Sequence, residues 1–164
     1  MVRSLRREPI NAVKFNTAEI PLASIERGIG ARGNGGQTVS ERPLVLVVED
    51  EWYLKADLEK VLNDAGFATE TVSSGEEALT LFLADTKKYK ILITDVRLQG
   101  SLLGWDVARH VREKEPTFPV MYVTGSNFEE WASEAVPDSV LISKPFGRVQ
   151  LIAPFPISST SERH

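Results

Sequence analysis

The chain has no cysteine, which excludes disulfides and thiolate metal sites and fits a cytoplasmic protein. No apolar run exceeds the five residues Leu44 to Val48, far short of a membrane-spanning helix. Met1 to Phe15 carries arginines but no continuous apolar segment, and so makes a poor secretory signal. An excess of basic residues is missing too: the net charge is -4, which speaks against a general nucleic-acid binder. What is present is ordinary. The 164 residues are 42% apolar and 26% charged, suited to one compact domain.

The charge is unevenly spread. Residues 1–42 hold seven Lys/Arg and four Asp/Glu, whereas residues 43–164 hold twelve and nineteen. Five of the eleven glycines fall between Gly28 and Gly36, and no helical or strand period lasts long enough there to bury a face. Residues 1–42 are therefore expected to form a flexible extension, with Val13, Phe15, Ile20 and Leu22 available to cover an apolar patch. Gly28-Ile-Gly30-Ala-Arg-Gly33 matches G-x-G-x-x-G, but a dinucleotide fingerprint needs a strand before it and a helix after it. Neither flank qualifies, so the stretch reads as a linker.

From Pro43 onward, apolar runs alternate with amphipathic segments. Strands are expected at Leu44–Val48, Ala68–Val72, Ile91–Thr94, Val120–Val123 and Val140–Ile142. Leu54, Leu58, Val61, Leu62 and Ala65 form a helical stripe that Gly66 is placed to end. Ser73-x-x-Glu76 and Ser74-x-x-Glu77 both offer a capping box for a second helix. Trp105, Val107, Ala108 and Val111 suit a third, and Phe128–Ala135 a short fourth. Alternating strands and helices imply a doubly wound α/β domain with a five-stranded parallel sheet.

In such a sheet, ligands bind beyond the carboxyl ends of the strands. Glu49, Asp50 and Glu51 follow the first strand, Asp95 the third, Thr124 ends the fourth, and Lys144 follows the fifth. Each alone has a structural explanation, since acids cap helices and lone threonines or lysines are often solvated. Convergence at four strand ends points instead to phosphoryl transfer. Clustered carboxylates repel unless a cation intervenes, and Mg²⁺ accepts a few carboxylates with water and phosphate. A carboxylate can attack phosphorus to give an acyl phosphate, while Lys144 and Thr124 supply a cation and a donor for the developing charge. A unit charge pair at about 4 Å contributes roughly 4 kcal/mol at an effective dielectric of 20, enough to bias a conformational switch.

Val-Val-Glu49-Asp50-Glu51, Ile-Leu-Ile-Thr-Asp95-Val-Arg-Leu-Gln-Gly, Tyr-Val-Thr124-Gly and Ile-Ser-Lys144-Pro-Phe together resemble the receiver domain of bacterial two-component response regulators. The resemblance spans residues 43–153 and implies a flavodoxin-like strand order of 2-1-3-4-5. It further implies that Asp95 accepts a phosphoryl group from a histidine kinase or histidine phosphotransfer protein. Asp50, Asp95 and the Arg97 backbone carbonyl are then the expected Mg²⁺ ligands, with Glu49 acting through water. Tyr122-Val-Thr124-Gly125 is similar to the aromatic-Ala-Thr-Gly signature of single-domain, FATGUY-like alphaproteobacterial regulators.

Several positions depart from the pattern. Glu49 replaces the commoner Asp, Leu141 stands where Tyr or Phe is usual, and Gln99 replaces a common proline. Two other functions are weighed. A Mg²⁺-dependent phosphohydrolase with an aspartate nucleophile wants a second acid two residues on, where Arg97 stands; a phosphorylation-independent binding module has no need of Asp95, Thr124 and Lys144 together. Trp52, Trp105 and Trp131 read as packing or partner contacts, and His110 as a surface histidine. Twenty residues follow Lys144, so the expected output is a protein–protein contact or onward phosphotransfer, without nucleic acid or membrane. Gly147–Ala153 allows about two helical turns before Pro154 and Pro156, leaving 154–164 as an irregular tail. So short a last helix is expected either to expose Val149, Leu151, Ile152 and Phe155 to a second copy or partner, or to let Phe155 and Ile157 fold back onto a monomer.

Overall fold

The computed structural model describes residues 42–126 and 128–155. The glycine-rich stretch, nearly all of the expected extension, Ile157 and the tail from 156 onward lie outside the described residues.

Among the described residues, five strands and five helices alternate. They are β1 (Leu44–Val48), α1 (Trp52–Asp64), β2 (Ala68–Val72), α2 (Gly75–Ala84), β3 (Ile91–Asp95), α3 (Gly104–Lys114), β4 (Val120–Thr124), α4 (Phe128–Glu134), β5 (Val140–Ser143) and α5 (Arg148–Ile152). All strand pairs are parallel, and the sheet order is β2-β1-β3-β4-β5. The expected fold class and order are both found. Element ends shift by a residue or so, as in β5, which continues to Ser143, and α4, which stops at Glu134.

The strand period divides each strand between two cores. Val45 and Val47 join Ile91, Ile93, Met121, Val123 and Ile142 on one face, where Leu58 and Leu62 of α1 and Leu151 and Ile152 of α5 cover them. Leu46 and Val48 join Leu92, Tyr122 and Leu141 on the other, beneath Ala78 and Phe82 of α2 and Trp105, Val107, Ala108 and Val111 of α3. Both faces of the sheet are covered, which is why its central strands read as continuous apolar runs.

Of the two outcomes expected at the carboxyl end, the fold-back is found for Phe155 and the exposure of Leu151, Ile152 and Phe155 is not. Leu151, Ile152 and Phe155 are buried, and Val149 alone of that set remains exposed. Phe155 folds back so that its ring lies 5.2 Å from that of Phe67. A five-residue helix covers little sheet by itself. The aromatic ring after it makes up the area, at a gain of a few kcal/mol for a buried phenylalanine. The serine-led capping is also resolved. Ser74 accepts from the Glu77 amide, while the Glu77 carboxylate accepts from the Ser73 amide; Glu76 is not used in the cap.

Candidate functional site

Strand register builds the site. Val48 pairs with Thr94, so Glu49 and Asp95 leave adjacent strands side by side. Asp95 pairs with Val123, which sets Thr124 one step further out, and Thr124 pairs with Ser143, which brings Lys144 alongside. Two backbone bonds fix these exits: the Glu49 amide donates to Val72 O at 3.0 Å and the Lys144 amide to Thr124 O at 2.8 Å.

The Lys144 ammonium bridges two carboxylates, 2.7 Å from Asp95 Oδ2 and 3.0 Å from Glu49 Oε2. The side chains are 15% exposed for Lys144, 8% for Asp95 and 1% for Glu49, so the ion pairs sit in a nearly dry pocket where charge interactions are strong. Burial pushes the Glu49 carboxyl above its ordinary range, only partly offset by its bonds to the Glu51 amide and Lys144. Burial opposes the charge on Lys144 as well, but its two carboxylate partners outweigh it and hold the ammonium pKa above normal.

Glu51, one of the acids expected at the end of the first strand but without an expected metal role, joins the site. Oxygens of Glu49, Glu51 and Asp95 lie within 4.8 Å of one another, forming a group able to hold a metal ion. Asp50 stands outside that group, whereas Glu51 joins it. The Tyr53 hydroxyl donates to Glu51 Oε2 and holds it there. Three carboxylates face one ammonium, a surplus of negative charge that suits a hard cation. Glu49 Oε2 is buried, and its contact is the Lys144 ammonium at 3.0 Å.

The remaining expected residues are nearby. Thr124 is buried, and its Oγ1 accepts from the Ser126 amide at 3.4 Å. The Arg97 amide donates to Asp95 Oδ1 at 3.2 Å, which orients the carboxylate, while the Arg97 guanidinium lies 3.8 Å from Glu130. Gly104 closes the loop after Asp95. A Cβ on it would lie 2.0 Å from Asp95 O, so only glycine permits α3 to start this close to the acid. Leu141 is buried beside Tyr122 and Trp105, and His110 is an exposed residue whose Nδ1 lies 2.7 Å from Asp106 O. Trp105 is core, as one of the two expected roles has it, while Trp52 is largely exposed.

Known proteins share this architecture. A response regulator receiver protein from Sinorhizobium medicae is 39% identical, with a TM-score of 0.67, over 70% of this chain and 91% of that one. A chemotaxis protein of Vibrio cholerae superimposes with a TM-score of 0.61 at 26% identity, covering 68% of this chain and 94% of that one. Among curated proteins, the C4-dicarboxylate transport transcriptional regulatory protein DctD of Rhizobium meliloti is 30% identical over 116 residues, 70% of this chain and 25% of its own length. The transcriptional activator protein IrlR of Burkholderia pseudomallei is 34% identical over 118 residues, 66% of this chain and 47% of its own length. The chain thus spans between a quarter and about half of these two relatives. No helix among the described residues is long and apolar enough to cross a membrane. The response regulator receiver domain family matches residues 45–155, the whole stretch that carries the sheet and the acidic pocket, and the chain belongs to that family of signalling domains.

Proposed function

We propose that this receiver domain accepts a phosphoryl group on Asp95 from a histidine kinase or histidine phosphotransfer protein, and signals through protein–protein contacts rather than by turning over a substrate. The observation that carries the reading is the Lys144 ammonium held between Asp95 and Glu49 at a nearly dry sheet edge. An Asp95 oxygen attacks phosphorus as the bond to the donor imidazole nitrogen breaks, and the electron pair returns to the imidazole. The Lys144 ammonium and the Thr124 hydroxyl are placed to take up charge on the phosphoryl oxygens. Mg²⁺ is the proposed cation, with Asp50, Asp95 and the Arg97 carbonyl as ligands, Glu49 acting through water and Glu51 adding a fourth carboxylate close to Glu49 and Asp95. When bound, such an ion neutralises the surplus carboxylate charge and draws the phosphoryl group toward Asp95. The cytoplasm, where soluble kinase domains act, is the proposed location.

The test is intact-mass measurement after incubation with acetyl phosphate and Mg²⁺. A labile adduct of one phosphoryl group is expected in the natural chain and complete loss of it in Asp95→Asn. Equal labelling of that variant overturns the assignment.

A further inference from the structure

Eight residues separate Asp95 from Gly104, and the loop between them has none of the stiffness that a proline at position 99 would give. It is nonetheless fastened at its middle. Glu76, in the first turn of α2, accepts three bonds on Oε1: from the Ser101 amide at 2.8 Å, the Ser101 hydroxyl at 2.7 Å and the Leu102 amide at 3.2 Å. Ser74 and Gln99 add an isolated parallel bridge between the same two segments. Gly100 turns back with φ +104, and a Cβ there would lie 2.7 Å from Glu76 Oε2. The loop and the acid therefore fit one another only with glycine at that position. The near end is tied separately, with the Gly104 amide donating to Val96 O at 2.8 Å.

Glu76 is not needed where the sequence pattern first places it. The start of α2 is already capped by Ser74 and by Glu77 reaching back to Ser73. The Ser101 hydroxyl most strongly, then the backbone amide of Glu76 itself and the Ser101 and Leu102 amides, hold the Glu76 carboxyl down to about 2, so it is an anion at any ordinary pH. We propose that Glu76 is a positioning residue for the acidic pocket: by clamping Ser101 and Leu102 it fixes the loop that carries Arg97, and so sets the affinity of the pocket for Mg²⁺. The proposal rests on the assignment of the pocket to Mg²⁺ and Asp95 made above. Glu76 touches none of the proposed ligands; it acts at a further remove, by holding Ser101 and Leu102 of the loop to which Arg97 belongs.

Calorimetric titration of the full chain with Mg²⁺ tests this, with a thermal melt of each variant. Glu76→Ala is expected to weaken binding about tenfold, the low end of what loss of a direct partner of a metal ligand costs. Glu76→Gln keeps an acceptor oxygen for the three donors and is expected to stay close to the natural affinity. Ser101→Ala, which removes one donor and little else, should fall between them and serves if Glu76→Ala does not fold. Leu79→Ala, partly buried on α2, should lower the melting temperature and leave the affinity unchanged. Natural affinity in both Glu76→Ala and Ser101→Ala overturns the proposal, as does equal weakening in Leu79→Ala. A natural chain that neither binds Mg²⁺ nor labels with acetyl phosphate overturns the assignment of the pocket itself, an outcome read before any variant is made.

Discussion

Two loops leave the acidic pocket, and the helices they lead to are held in very different ways. After Asp95 the chain is tied to α2 and then enters α3, where Gly104, Trp105, Val107, Ala108 and Val111 are all buried. After Thr124 it enters α4, a seven-residue helix with no buried residue. Phe128 and Trp131 only lean on the core, and the end of α4 is held by Arg109, which bonds Glu134, and by the Tyr122 hydroxyl, which accepts from the Val136 amide at 3.2 Å. One side of the pocket is a fixed wall. The other is fastened by a few polar contacts, which places the low-stability segment next to Thr124, the residue that would meet a phosphoryl group. A switch needs such asymmetry: a rigid reference for the reacting acid and a neighbour whose position a few kcal/mol can change.

The largest effect is expected where the rigid side is broken. Trp105 is buried with its ring 4.5 Å from that of Tyr122, so Trp105→Ala should cost about 3–5 kcal/mol in chemical denaturation. A loss below about 1 kcal/mol would show that α3 is no more anchored than α4. A smaller and more selective effect is expected from Tyr122→Phe. The ring packing stays, but the buried Val136 amide loses its acceptor, at about 1–3 kcal/mol. Hydrogen exchange should quicken through α4 and the segment leading into β5 while α3 keeps its protection. Uniform quickening would mean that the two sides are one cooperative unit. Arg109→Ala comes next, at under about 1 kcal/mol, because the Arg109–Glu134 pair is about 42% and 41% exposed and screened by water. Its signature is again local, with exchange confined to the end of α4.

The sequence discloses the rigid side better than the loose one. Apolar runs and helical stripes are direct consequences of burial, so every strand and the stripe on α1 were legible, and the acids at strand ends followed from topology. Contacts between distant segments leave no such period. Glu76 sits in a plausible capping box, and nothing local says that its carboxylate reaches Ser101, 25 positions on. Phe155 lies between two helix-breaking prolines, Pro154 and Pro156, yet is buried on Phe67, because the apolar area left by a short helix decides its place.

The smallest expected effect is a pH dependence that isolates the tie between α2 and the loop. An unfolded Glu76 titrates near 4.5, whereas in the fold the Ser101 hydroxyl, its own backbone amide and the Ser101 and Leu102 amides hold it at about 2. A carboxyl lowered on folding contributes stability that is complete above about 4.5 and is lost as pH falls through about 2. Other acids titrate over the same range, and not all with the same sign. Glu49 is raised by burial, so its protonation favours the folded chain as pH falls, while Glu70, bonded to Tyr89 and Lys88, behaves like Glu76. Glu76→Gln has no proton to take up and cancels these shared contributions when subtracted. The stability difference between natural chain and variant should be constant above about 4.5 and shrink steadily toward 2, with exchange at Ser101 and Leu102 following the same curve in the natural chain alone. A difference that stays constant down to pH 2 would mean that the charge on Glu76 does not hold the loop, and would leave the two sides of the pocket less unlike than their hydrogen bonds suggest.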